Sequence, residues 1–247
     1  MQTHTYCLLN SADRVPPALV GLDDAPVRAI VVGDVSMWVS DAPALASRIT
    51  LERVQRHDAV VGAALETGTT PLPMRYGQRF DSDDDARRYL EEKLPELRPL
   101  FARVHGMIEM SVLVAPAIKK LLRELEVVSP ASLDASQRGA GLGYLERVRE
   151  RTAREERARA AVESQLDQVS RAVHSLARAE ERQARGRGVG AIAHLVALDD
   201  ARVYREIVQG MRATKDWQLL VSGPRAPYSF CALGGGSSGE SGTFLAT

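Results

Sequence analysis

The side chains best suited to chemistry in this chain are five histidines, two cysteines, an acidic run and a few clustered arginines. The histidines are His4, His57, His105, His174 and His194, and no two fall in the HxH, HxxxH or HExxH spacings that bring imidazoles to one metal ion. Cys7 and Cys231 stand apart, without the CxxC pairing of a zinc or thioredoxin-like site. Cys7 lies in the apolar run Tyr6-Cys7-Leu8-Leu9, where a free cysteine behaves as a small hydrophobe. Asp81-Ser82-Asp83-Asp84-Asp85 lacks the loop spacing of an EF-hand and directly precedes a helical pattern. Its carboxylates therefore read as a helix cap facing free amides. Gly186-x-Gly188-x-Gly190 follows a helical stretch and precedes a strand, the reverse of the order in which a dinucleotide loop cradles phosphate. There is no Walker loop and no GxSxG elbow. His57 sits between Arg56 and Asp58 without an accompanying set of acid, base and nucleophile, so it reads as structural, pairing with Asp58 or capping carbonyls. His194 alternates within an apolar run, as a satisfied edge or core histidine does. The expectation is a protein that is not an enzyme, with no catalytic residue, no metal and no cofactor.

The long helix carries Arg147, Arg149, Arg151, Arg154, Arg157 and Arg159, interleaved with Glu146, Glu150, Glu155 and Glu156. Opposite charges three and four residues apart compensate one another on a solvated helix face. The 247 residues hold 32 basic and 32 acidic side chains, so the formal net charge is zero. That removes the general electrostatic case for nucleic acid or an anionic membrane surface. It also leaves little repulsion between copies, which keeps self-association open. No apolar run approaches the roughly 20 residues of a bilayer span, and the N-terminus lacks the basic region and apolar core of a signal peptide. The expected location is cytoplasmic.

The elements that must position these side chains follow from periodicity. Thr5–Leu9 reads as a first strand, and Val27–Val39 as a strand region broken at Gly33-Asp34 by a bulge or turn. Asp41, with Pro43 in the first turn, reads as the cap of a helix whose stripe is Leu45, Ile49, Leu51, Val54, Val60 and Val61. Leu72–Phe80 reads as one half-buried strand, and Ala86, Leu90, Leu94, Leu97 and Phe101 as the stripe of the next helix. Met107–Val114 is a strand, Ala117–Leu125 a short helix and Ser129–Gly143 a linker-like loop. A helical stretch then runs from Tyr144 to Arg185 and closes at Gly186-Arg187-Gly188. Its Val162, Leu166, Val169, Val173 and Leu176 form a heptad seam, as in a coiled coil. Ile192–Leu198 is a strand, Asp199 or Asp200 caps a helix to about Arg212, Trp217–Val221 is a strand and Ser222-Gly223-Pro224 a turn. The fold class is α+β, in two domains, each expected to be a modified ferredoxin-like sheet with helices on short connections, the second carrying the long coiled-coil-like helix. Residues 1–105 form the first, 106–233 the second, and 234–247 a flexible Gly/Ser-rich tail. Met107–Val114 is expected to pair with Ile192–Leu198 or Trp217–Val221.

Five segments, in order, resemble the gas vesicle protein F/L family. They are Val54–Val61 with His57; Pro71–Phe80 with Pro73, Arg75, Tyr76 and Gly77; Gly106–Val114 with Glu109; Gly143-Tyr144-Leu145; and Ser222–Phe230 with Gly223, Pro224, Pro227, Tyr228 and Phe230. Ala226 departs from the pattern where a second proline is common, and the tail after Leu233 is peculiar to this chain. The resemblance implies an N-terminal modified ferredoxin-like domain and a C-terminal α+β domain with coiled-coil helices. It also implies a gas vesicle accessory or minor structural protein acting with the small hydrophobic shell protein, and other accessory proteins, during assembly. The family-like segments are densest near Arg56, His57 and Arg75, which makes these the expected partner-binding residues. Rival readings are an enzyme on a ferredoxin-like scaffold with Arg56, His57 and Arg75 around an anion, or a small module that binds metabolites.

Overall fold

Continuous burial with a hydrogen-bonding neighbour on each side makes Gln2–Leu9 (β1) the centre of a sheet, and seven of its eight residues are buried. The computed structural model describes residues 2–10, 15–43, 49–117, 140–185, 188–211 and 217–231. The chain divides into two compact units, the first formed by residues up to Arg103 with Tyr228 onward, the second by Val104–Pro227. Each has its own antiparallel sheet, and the whole is α+β.

In the first unit, β1 pairs with Val35–Ala42 (β3), which pairs in turn with Arg28–Val32 (β2). Gly33-Asp34 is the two-residue turn of that hairpin, with Val32 opposite Val35. β3 continues through Asp41, so Asp41 is not a helix cap: it pairs with the Arg28 guanidinium at 2.8 Å. Strand pairing of Gln2 with Ala42 outweighs the local cap signal. The helix instead begins at Leu51 (α1, Leu51–Glu66), where Thr50 accepts the Arg53 amide; Leu45 falls outside the described residues. Its buried stripe is His57, Val60, Val61 and Ala64, spaced at one helical face against β1.

Leu72–Phe80 is not one strand. Leu72–Pro73 (β4) and Arg79–Phe80 (β5) pair separately with β1, and a turn containing Gly77 lies between them. Pro73 and Gly77 suit the ends of short edge pieces better than the middle of a long strand. The acidic run opens Asp83–Val104 (α2): Ser82 accepts the Asp85 amide at 3.1 Å and donates to the Asp85 carboxylate at 2.6 Å. Asp83 also ties the helix to the sheet, accepting from Thr3 and Arg28 at 2.7 Å each.

In the second unit, Met107–Pro116 (β6) lies between Val189–Ala197 (β8) and Trp217–Arg225 (β9), as the pairing expectation required. The order is β7-β8-β6-β9, where β7 is Ala177–Arg185. β7 corrects the reading of one helix to Arg185. The helix (α3) spans Ala140–Val173, and the Arg- and Glu-rich segment after it is an edge strand. Ala, Arg, Glu and Gln favour helix locally, yet charged side chains also blunt an exposed sheet edge, and pairing with β8 decides the matter. Gly188, φ +73°, leads into β8; residues 186–187 lie outside the described set. So do residues 118–139, with most of the short helix and loop read there, and the tail from residue 232.

Four residues of the expected seam are core: Val162, Leu166, Val169 and Val173 are at most 5% exposed, and α3 packs on β6, β8 and Ala201–Gly210 (α4). Leu176, the fifth, is not on the helix: it lies in the turn after Val173 and is half-buried. Asp200 precedes α4 but makes no side-chain cap. Ser222-Gly223-Pro224 is not a turn. It lies inside β9 at a bulge, where the register jumps from Ser111 opposite Ser222 to Glu109 opposite Arg225.

Candidate functional site

His57 comes from the inward face of α1, His4 from β1, and Met74 from the residue after β4. The three meet in one hydrogen-bond chain. Met74 O can only accept, so His57 Nε2 donates to it, at 3.1 Å. His57 Nδ1 is then the acceptor of His4 Nε2–H, at 3.0 Å. Both imidazoles are almost wholly buried, 0% and 2% exposed. Burial, with the neighbouring His57 and the Arg79 and Arg53 charges, pushes His4 down to about 3, and burial lowers His57 to about 4. Both rings are therefore neutral at ordinary pH.

Tyr6 and Tyr76 pack edge-on or tilted against these rings. The Tyr6 hydroxyl accepts the Leu22 amide at 2.8 Å and bonds Ser40 Oγ at 2.7 Å. This approach exists because residue 21 is glycine: a Cβ there would lie 2.0 Å from the Tyr6 oxygen. Arg53 donates to Tyr76 at 3.2 Å and grips Asp23 with both guanidinium arms, at 2.5 and 3.0 Å.

Around this frame, Arg56 and Arg75 are exposed. Arg56 has a long ion pair of 3.7 Å with Asp24. Each arginine is a chain neighbour of a frame residue, Arg56 beside His57 and Arg75 beside Met74. The buried hydrogen bond between His57 and Met74 thus links the two backbone segments that carry the guanidinium groups. Of the three expected partner-binding residues, two lie at the surface and His57 lies beneath them, facing inward. Nothing local to His4 reveals its role, because its partner is 53 residues away; the one signal is its place just before the strand read at Thr5–Leu9.

Pro73 is buried in β4, and Gly77, φ +91°, is exposed in the following turn. Tyr228 donates to the Asp58 carboxylate at 3.1 Å, and Phe230 is buried. In the second unit Glu109, 0% exposed, accepts from Arg225 at 2.6 and 3.1 Å and from Ser111 at 3.2 Å. Gly223 (φ +111°) crosses directly over this strand, and a Cβ there would lie 2.7 Å from Glu109 O. Pro224 is exposed and Pro227 buried. His194 is also buried; its Nδ1 bonds the Tyr204 hydroxyl at 2.7 Å, and burial lowers it to about 4.

Chemically, the first-unit cluster is a neutral hydrogen-bonded brace, in which His4 Nδ1 alone is buried without a hydrogen-bond partner among the described residues. Both ring nitrogens of His57 are engaged by uncharged partners, and the neighbouring Asp58 carboxylate acts on the ring only through its charge. Among the described residues no group of three or more His, Cys, Asp or Glu side chains is placed to hold a metal, and no helix is long and apolar enough to cross a membrane. Burial also raises the Cys7 thiol, disfavouring its nucleophilic form.

The fold and cluster describe a two-unit α+β protein with a buried, hydrogen-bonded brace of neutral side chains in its first unit. The chain matches the family described as Gas vesicle synthesis protein GvpL/GvpF over residues 2–232, and it belongs to that family. It is 27% identical to Gas vesicle protein F of Streptomyces sp. (strain CB03234) over 241 residues, covering 93% of this chain and 99% of the relative. With Gas vesicle protein L of the same strain it shares 28% over 216 residues, 85% of this chain and 76% of the other. The crystal structure of the gas vesicle protein GvpF from Anabaena sp. PCC7120 superposes with a TM-score of 0.72 at 17% identity, covering 95% of this chain and 99% of that one, a likeness of fold.

Proposed function

We propose that this protein is a cytoplasmic accessory or minor structural protein of the gas vesicle, and that it binds the small hydrophobic shell protein through its first unit around Arg56 and Arg75. The family membership supports a gas vesicle role. The observation that carries the surface assignment is that the two exposed arginines, Arg56 and Arg75, sit on segments joined by the buried His57–Met74 hydrogen bond. Binding surfaces gain affinity when their anchors are held in place before the partner arrives. His57 contributes from beneath, by positioning Met74 and Arg75. The short strands β4 and β5 lie at the outer side of β1, and among the described residues no further strand pairs with them, which suits addition of an extended partner segment. A ferredoxin-like description of both domains, with boundaries at 105 and 233, belongs to the same reading. For the second unit it is supported by the strand-helix-strand-strand-helix-strand order with β6 and β8 central.

The test is a pull-down of purified shell protein by the tagged full chain. Retention of shell protein above a tag-only control is expected. Equal recovery on both resins would contradict the reading.

A further inference from the structure

The second sheet ends in two edge strands of opposite character. β7 carries Arg178, Glu180, Glu181, Arg182 and Arg185, the kind of charged edge that resists pairing with another chain. β9 has no charged residue from Trp217 to Pro224. Among the described residues it pairs on one side only, with β6. Its outer-face residues Gln218, Leu220 and Ser222 are all exposed, and Leu220 at 55% is the most exposed large hydrophobic side chain described in this unit.

We propose that β9 is a self-association edge: two copies of this chain pair β9 antiparallel about a twofold axis through Leu220, joining two four-stranded sheets into one of eight strands. The sequence is self-complementary in that register. Leu220 faces its own copy, Leu219 faces Val221, and Gln218 faces Ser222, an amide opposite a hydroxyl. An axis perpendicular to the sheet keeps each residue on its own face, so the helix-covered sides of both copies stay together. On the opposite face, Leu220 lies in register with Leu113, and Leu113 with Ala191. Pairing at the axis extends this apolar row across both sheets. The bulge at Gly223 and the missing amide of Pro224 stop the ladder beyond Ser222, which favours this register over a slipped one. Zero formal net charge leaves no general repulsion between copies. The partner here is the chain itself, so the proposal is independent of shell-protein binding.

The test uses the full chain. Sedimentation should show a concentration-dependent dimer, and Leu220→Lys, which sets two like charges opposite one another, should weaken it by about tenfold or more with an unchanged melting temperature. Leu220→Cys should form a covalent dimer under mild oxidation, the native Cys7 and Cys231 being buried. Gln218→Cys alone should not cross-link, but should do so when mixed with Ser222→Cys. A wild-type chain that stays monomeric, a dimer indifferent to Leu220→Lys, or efficient self-cross-linking of Gln218→Cys would each overturn the proposal.

Discussion

In the first unit the buried polar side chains His4, His57, Tyr6 and Ser40 are neutral and bonded in short chains, whereas in the second Glu109 is buried against the Arg225 guanidinium. Removing a member of a neutral network loses the one or two hydrogen bonds it makes but strands no charge. A buried ion pair is different, because removing one partner leaves the other charge without compensation. The first unit should therefore be sensitive to protons and the second to truncation.

The largest effect is expected in the second unit. Arg225→Ala removes both guanidinium hydrogen bonds from the fully buried Glu109 and should cost about 3 to 4 kcal/mol. Adding Glu109→Gln should recover much of that loss. Urea unfolding followed by Trp217 fluorescence, in a Trp38→Phe background, reads this unit; a loss below about 1 kcal/mol would place the pair among surface ion pairs and break the contrast.

Next is the Tyr228-to-Phe230 segment, which returns to the first unit. Tyr228→Ala with Phe230→Ala removes the bond to Asp58 and a side chain only 6% exposed, at a cost of about 3 kcal/mol. The Trp38 signal, in a Trp217→Phe background, should report a lower melting temperature. An unchanged melting temperature with shell-protein binding lost would make the two aromatics an interface.

Acid sharpens the comparison. The unfolded chain takes up protons below the ordinary histidine value of 6.5, while folded His4 and His57 stay neutral down to about 3 and 4. Their burial costs nothing in stability above 6.5 and progressively lowers stability as the pH falls below it. The second unit has one such imidazole, His194, lowered to about 4. Between neutral pH and about pH 5 the first unit should therefore lose on the order of 2 kcal/mol more than the second, one extra imidazole. Parallel titrations of the two single-tryptophan variants measure it. Equal acid sensitivity would remove the imidazole pair as the distinguishing feature.

Residue patterns revealed the parts governed by local periodicity. The α2 stripe and most of the α3 seam were legible because their burial repeats at about 3.6 residues. Met107–Val114 was legible as a strand expected to pair with one of two later strands, and it pairs with both. β7 was hidden by residues that favour helix and acquire strand geometry only through β8. Gly223 and Pro224 signal a turn in isolation, but become a bulge when Arg225 must reach Glu109 one register further on. Arg56, His57 and Arg75 stood out through the family resemblance. What spacing could not convey is that His57 turns inward to His4, a contact spanning 53 positions.

The smallest effect on stability belongs to Arg56→Glu with Arg75→Glu, since both side chains are exposed and such changes lie within about 0.5 kcal/mol. The same double reversal is the most direct test of the functional account. Shell-protein pull-down is measured beside a circular dichroism melt. Shell-protein binding through this surface predicts an unchanged melt with binding sharply reduced, because reversed charges oppose a complementary surface. Undiminished binding by the folded double mutant would contradict it and move the partner surface away from the first unit's arginines.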